Sequence, residues 1–141
     1  MGNKPTTMNK VNFEDIQYIL KNNLSYILIN ILPENEQSCL IKKTITIDNE
    51  ETMINNNIKN KHMKIIIYGK NANDDKLIDK YNQLINLGFN HVYIYPGGLF
   101  EWLMLQDIYG YEQFPTSKKE LDILKFKPKS ILNNLLLGDI D

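Results

Sequence analysis

Apolar residues follow two alternating patterns along the chain. Short, nearly continuous apolar runs occupy 26–31, 44–47, 64–68 and 92–95. Such runs are typical of strands buried on both faces of a parallel sheet. Apolar residues spaced three and four apart predict amphipathic helices over 12–22, 74–87 and 99–108, and a weaker Asn-rich helix over 50–60.

This alternation of strands and helices defines the predicted fold class. Strand–helix–strand units connect with one hand and place their helices on both faces of a sheet. The pattern predicts an α/β fold with a central, mostly parallel sheet of about five strands. We expect residues 1–8 to form a flexible tail and residues 9–116 to form this domain.

Residues 117–141 have a different character, which predicts a C-terminal helical extension. A polar helix is predicted to start at 118–120, and Pro128 interrupts it. Ser130 is placed to cap a last helix, whose apolar stripe is Ile131, Leu132, Leu135 and Leu136. We expect the extension to pack back on the domain; the alternative is a helix that binds a partner's groove.

Composition excludes several classes of function. The chain has 141 residues and a net charge of −1, which gives no general attraction to nucleic acid. All 16 basic residues are Lys, and Asn and Ile are over-used, as an AT-rich genome would produce. Without Arg, no side chain offers the planar fork that clamps phosphate or carboxylate in two hydrogen bonds.

Metal, cofactor and membrane functions have little support in the sequence. Cys39 is the single cysteine, so it forms no disulfide within the chain, and with His62 and His91 it makes no standard zinc site. We expect no metal and no cofactor. No apolar stretch approaches the length of a membrane span, and we expect a cytoplasmic protein.

The N-terminus carries one targeting pattern. Residues 1–6, Met-Gly-Asn-Lys-Pro-Thr, match the pattern for N-myristoylation of Gly2. The alternative is a disordered polar tail. A single acyl chain gives only marginal, reversible membrane binding, so we expect a membrane role only if Gly2 is acylated.

A glycine pair in the second half of the chain carries a family resemblance. Residues 88–102 read as a strand, then Gly97-Gly98, then a helix with Trp102 four residues on. This arrangement resembles rhodanese homology domains, and the resemblance extends in order and spacing over about residues 9–116. Similar domains occur in large DNA viruses, whose composition this sequence would suit.

The resemblance implies a catalytic loop that this sequence lacks. In the family a nucleophilic cysteine follows the central strand, and here that position is Gly69. The phosphatase variant would need Cys and Arg where Gly69 and Asp75 stand. The earlier Asp-x-Arg motif is replaced at Asn30 and Leu32. The expected site is therefore a vestigial loop of Gly69, Lys70, Asn71, Ala72, Asn73, Asp74 and Asp75.

Three hypotheses of function remain open. The first is a non-catalytic module that binds proteins, acts as a scaffold or is structural, through the vestigial loop, the 100–109 helix or the C-terminal extension. The second is a weak or atypical sulfurtransferase that uses Cys39, which we expect to be buried or half-buried and remote from the loop. The third is a membrane- or virion-associated component acylated at Gly2.

Overall fold

A computed structural model describes residues 8–132. The chain alternates strands and helices in nearly the predicted order. The strands are β1 (Tyr26–Asn30), β2 (Thr44–Ile45), β3 (Lys64–Tyr68) and β4 (His91–Tyr95). The helices are α1 (Phe13–Lys21), α2 (Ile47–Asn56), α3 (Lys76–Asn86) and α4 (Gly98–Tyr109), with 3-10 turns at Glu34–Glu36 and Ile123–Phe126.

The four strands form one parallel sheet in the order β2-β1-β3-β4. Beyond β4, Lys10 forms a single parallel bridge with Ile94. The Val11 N–H donates to the Ile94 carbonyl, and the Ile94 N–H donates to the Asn9 carbonyl, both at 2.8 Å. The α/β class and the parallel sheet are confirmed. The described residues provide four strands, and the bridge at Lys10 lies where a fifth would be.

Side chains alternate across the sheet and define two core layers. In β3, Ile66 and Tyr68 point into one layer, while Ile65 and Ile67 point into the other. The first layer is covered by α1 and α4, and the second by α2 and α3. All four of these β3 side chains are fully buried, as expected for a central strand with helices on both faces.

The second strand is shorter than the sequence predicted, and α2 starts earlier. Thr46 is the residue before α2, and its hydroxyl accepts a hydrogen bond from the Asn49 amide at 3.1 Å. The Ile47 backbone N–H donates to Gln37 Oε1 at 3.0 Å. Asp48 therefore lies inside the helix, and the bond to Gln37 supplies an acceptor for one backbone N–H that has no partner within the helix.

The predicted polar helix at 118–120 is wrong. The chain has no regular secondary structure there, because side chains compete for its backbone groups. The Thr116 hydroxyl donates to the Lys118 carbonyl at 2.8 Å, and the Glu120 carboxylate accepts from the Asp122 N–H at 3.1 Å. The last predicted helix lies mostly outside the described residues.

The segment after residue 117 nevertheless packs against the domain. Phe126 is buried, with 2% of its surface exposed, and belongs to the core layer that holds Trp102. Its carbonyl accepts a hydrogen bond from the Asn71 amide at 2.9 Å. The described part of the C-terminal extension is thus tied to the loop that follows β3.

This packing predicts that two side-chain substitutions lower the free energy of unfolding by different amounts. Phe126→Ala should lower the free energy of unfolding by about 3–5 kcal/mol, because it leaves a cavity in the core. Leu124→Ala should change it by less than about 0.5 kcal/mol, since the Leu124 side chain is 60% exposed. Urea unfolding measures both values. Equal effects would show that Phe126 is not a core residue.

Candidate functional site

The predicted vestigial loop, Gly69–Asp75, joins β3 to α3 at the carboxyl end of the sheet. From β1 the chain passes to β2 on one side, whereas β3 and β4 lie on the other. The carboxyl ends of β1 and β3 therefore flank a topological switch point, where open α/β sheets usually bind ligands. This is the position in the fold at which a functional site is expected.

A carboxylate occupies the space beside Gly69. A Cβ atom added to Gly69 would lie 2.7 Å from Asp74 Oδ2 and 3.0 Å from Asp74 Cβ. Gly69 is not among the glycines with positive φ, so its backbone would accept a side chain. A side chain at position 69 would therefore require the Asp74 side chain to shift.

The same carboxylate accepts hydrogen bonds from backbone N–H groups of the loop and of the start of α3. Asp74 Oδ2 accepts from the Lys70 N–H at 3.2 Å, and Oδ1 accepts from the Lys76 N–H at 3.3 Å. Asp74 and Asp75 precede α3, which begins at Lys76 rather than at residue 74 as predicted. Asp74 instead bridges the loop and the helix start.

Asn71 fixes the rest of the loop. Its Oδ1 accepts from the Asn73 N–H at 2.9 Å, and its backbone carbonyl accepts from the Asp74 N–H at 3.3 Å. Its Nδ2 donates to the Phe126 carbonyl. Asn71 is buried, whereas Ala72, Asn73 and Asp75 are exposed. The amide is therefore more than a turn residue, because it joins the loop to the C-terminal extension.

The glycine pair places α4 against this loop. Gly98 has φ +69°, and a Cβ there would lie 2.7 Å from the Gly69 carbonyl oxygen. The Leu99 N–H donates to the Gly69 carbonyl at 3.0 Å, and the Phe100 N–H donates to the Lys70 carbonyl at 2.9 Å. Only glycine combines this backbone conformation with so close an approach.

The other motif residues support this junction. A Cβ on Gly97 would collide with the Glu101 side chain. Trp102 is fully buried, and its indole N–H donates to the Pro115 carbonyl at 3.1 Å. Its ring meets Phe114 edge-on, with centroids 5.0 Å apart. Trp102 thus anchors α4 beneath the loop.

The one cation of the loop is neutralised. Lys70 Nζ lies 3.1 Å from a Glu36 carboxylate oxygen, and both side chains are about three-quarters buried. Its charge is therefore directed toward Glu36. With Asp74 and Asp75 nearby, the loop carries more negative than positive charge, which disfavours an anionic ligand.

Cys39 lies outside the loop, in the buried position that the sequence predicted. Only 4% of its surface is exposed, and its thiol donates to the Lys118 carbonyl at 3.1 Å. Burial raises the pKa of the Cys39 thiol, and a hydrogen bond with Thr116 opposes that shift only in part. The thiol therefore stays protonated near neutral pH, which is a poor state for a nucleophile.

Two buried phenols flank the same end of the sheet. Burial raises the pKa of Tyr68, whose hydroxyl lies 2.7 Å from Thr44 Oγ1 and accepts from the Ile41 N–H. Burial and the nearby Glu101 carboxylate raise the pKa of Tyr95. Both phenols are neutral at physiological pH and act as hydrogen-bonding core residues.

The remaining candidate residues form no further site here. The rings of His62 and His91 lie 5.9 Å apart, but no three His, Cys, Asp or Glu side chains within 8–132 are arranged to hold a metal ion. None of the described helices is long and apolar enough to cross a membrane. Gly2 lies outside the described residues.

Comparison with known proteins identifies the family. The family model described as a rhodanese-like domain matches residues 17–105, more than half of the chain. The chain therefore belongs to the rhodanese-like domain family, and the predicted fold is confirmed. No curated protein matches the sequence.

Solved structures of low sequence identity share the fold. A Bacillus halodurans protein is 18% identical with a TM-score of 0.60, over 91% of this chain and 89% of that one. A yeast protein tyrosine phosphatase of the rhodanese family is 10% identical with a TM-score of 0.61, over 85% of this chain and 99% of that one. A thiosulfate sulfurtransferase from Pseudomonas aeruginosa is 17% identical with a TM-score of 0.56, over 69% and 19%.

Proposed function

We propose that this protein is a non-catalytic member of the rhodanese-like family that serves as a protein-binding or scaffolding module. The observation that carries the proposal is the pairing of Gly69 with Asp74. The family resemblance puts a cysteine thiolate at position 69, and glycine supplies no nucleophile. The Asp74 carboxylate fills the adjacent space.

Electrostatics in the loop support the same proposal. Thiosulfate and phosphate esters are anions, and an active loop of this kind binds them with backbone N–H groups and positive charge. Here the Lys70 N–H is held by Asp74, and the Lys70 ammonium is held by Glu36. A second anion beside the Asp74 carboxylate would face like-charge repulsion.

The alternative that uses Cys39 has little support. A persulfide carrier needs an accessible thiolate, whereas the Cys39 thiol is buried and its pKa is raised. Its hydrogen-bond partner, the Lys118 carbonyl, belongs to the C-terminal extension rather than to the loop. Cys39 is better explained as a small core residue.

An exposed apolar surface supports the binding role. On α4, Met104 and Ile108 lie one helical turn apart and are 42% and 66% exposed. Neighbouring exposed apolar residues on one helix are typical of a contact surface for another protein. We call Met104 and Ile108 the α4 surface.

Composition and the N-terminus extend the proposal. The excess of Asn, Ile and Lys and the lack of Arg support an AT-rich source, as in a large DNA virus. The location that fits is then the host cytoplasm or the virion. Acylation of Gly2 would add a weak membrane contact and leaves the role of the loop unchanged.

Enzyme assays test the catalytic half of the proposal. The wild-type protein should show no cyanide-dependent thiocyanate formation from thiosulfate and no hydrolysis of p-nitrophenyl phosphate above the uncatalysed rate. An active rhodanese measured beside it validates the assay. Thiocyanate formation that Cys39→Ser abolishes would instead establish the sulfurtransferase alternative.

Partner capture tests the binding half. The full-length protein, tagged and cross-linked in cells that produce it naturally, should yield a reproducible partner by mass spectrometry. Ile108→Glu should lower recovery about tenfold or more, because it places a charge in an apolar contact. Ile78→Glu is the matched control, since Ile78 is 49% exposed on α3. Equal recovery of the partner with both variants would exclude the α4 surface.

A further inference from the structure

A cavity lies away from the vestigial loop, and none of its lining residues belongs to that loop. Its volume is about 560 Å³, within the range of small-molecule sites. It is open to solvent and is lined by the end of α1, by the turn before β2 and by the segment after α4. Leu20 and Pro115 supply apolar surface, and Gln17 and Gln113 supply amides.

Lysines dominate the charge of this cavity. Lys21, Lys42 and Lys43 line it together with a single acid, Glu112. The ion pairs found among residues 8–132 involve none of these four side chains. Lys43 Nζ donates to the neutral amide oxygen of Asn23. The cavity therefore concentrates two net positive charges on a chain whose net charge is −1.

The backbone of Lys43 has an unusual conformation. Residues 41–44 form a tight turn, closed by a 3.0 Å hydrogen bond from the Thr44 N–H to the Ile41 carbonyl. Lys43 is the third residue of this turn and has φ +70°, a position that normally takes Gly or Asn. A long basic side chain is held there at a conformational cost, and such outliers cluster at ligand-binding sites.

Asn23, by contrast, has an ordinary structural role. Its φ is +52°, just past the end of α1, and the Leu24 N–H donates to the Ile19 carbonyl at 3.0 Å. This is the usual left-handed end of a helix. The Asn22 amide also donates to the Tyr18 carbonyl at 2.9 Å. These bonds satisfy carbonyls of the last turn and so reduce the partial negative charge that the helix end presents to an anion.

We propose that this cavity binds a small phosphate-bearing molecule, with Lys21, Lys42 and Lys43 as its cationic contacts. Lysine binds phosphate as a point charge, and it is the only kind of cation that a chain without Arg offers beside histidine. Asn23 holds Lys43 at the cavity, and Leu20 and Pro115 face the non-ionic part of the ligand. The site is independent of the proposed loss of catalysis, since it shares no residue with the loop.

Titration with inorganic pyrophosphate tests the proposal on the full-length protein. Amide chemical shifts in ¹⁵N-labelled protein follow binding, and sodium chloride at matched ionic strength provides the reference. Wild-type protein should show saturable shifts centred on Lys42, Lys43 and Gln113. Lys42→Gln should weaken binding about tenfold, because it removes one charge-assisted contact.

Lys43→Gly separates binding from folding. Glycine accepts the positive φ, so thermal stability should stay at or above that of the wild type while pyrophosphate affinity falls. Lys59→Gln is the charge-matched control, since Lys59 is exposed on a turn outside the cavity, and its affinity should equal that of the wild type.

Three results would overturn the proposal. The first is a response to pyrophosphate no greater than the response to chloride. The second is an equal loss of affinity in Lys59→Gln and Lys42→Gln, which would show general charge screening. The third is saturable binding at this cavity by an acidic peptide but not by pyrophosphate, which would assign the surface to a protein partner.

Discussion

The loop after β3 and the first turn of α4 meet backbone to backbone, and the shape of the candidate site depends on that contact. The first amides of α4 donate to the carbonyls of Gly69 and Lys70. This geometry requires a residue with φ +69° and no Cβ, which is Gly98. Trp102, one turn later, fixes α4 to the core. The loop is therefore held in place although, on our account, it has no chemistry to perform.

Within that fixed frame, the loop satisfies its own polar groups. The Asp74 carboxylate accepts hydrogen bonds from the backbone N–H groups of Lys70 and Lys76. The Asn71 side chain accepts from the Asn73 N–H and donates to the Phe126 carbonyl. Burying backbone donors without partners is costly, so a loop that binds no anion needs such internal acceptors. Asp74 gives a physical reason for the loop to keep its shape without a thiolate or a bound substrate.

The strands and the glycine motif were predictable from sequence, because each depends on local pattern. Ile65–Ile67 form an apolar run that suits a central strand, and Gly97-Gly98 followed by Trp102 is a compact motif. The start of α2 and the absence of a helix at 118–120 were not predictable. Both depend on side chains such as Gln37 and Thr116, which compete for backbone groups across the fold.

The candidate site likewise has features that the sequence predicts and features that depend on the fold. The sequence indicated an acidic loop without a nucleophile, but it treated Asp74 as part of a helix turn. Its contact with Gly69 spans five residues, and only the path of the loop brings the two together. The link from Asn71 to Phe126 spans 55 residues and carries no local signal. The lysine cavity likewise joins segments that are distant in sequence, although Lys42-Lys43 before β2 was a visible pair.

The pKa of a thiol introduced at position 69 tests most directly whether Asp74 occupies the nucleophile's place. The measurement uses Gly69→Cys in a Cys39→Ser background, with and without Asp74→Ala, and follows the alkylation rate by iodoacetamide against pH. With Asp74 present, the pKa should lie above the ordinary value of about 8.5. Asp74→Ala should lower it by about one unit, because a like charge is removed and loop N–H groups are freed. An equal pKa in both proteins, or a low pKa with Asp74 in place, would contradict the account.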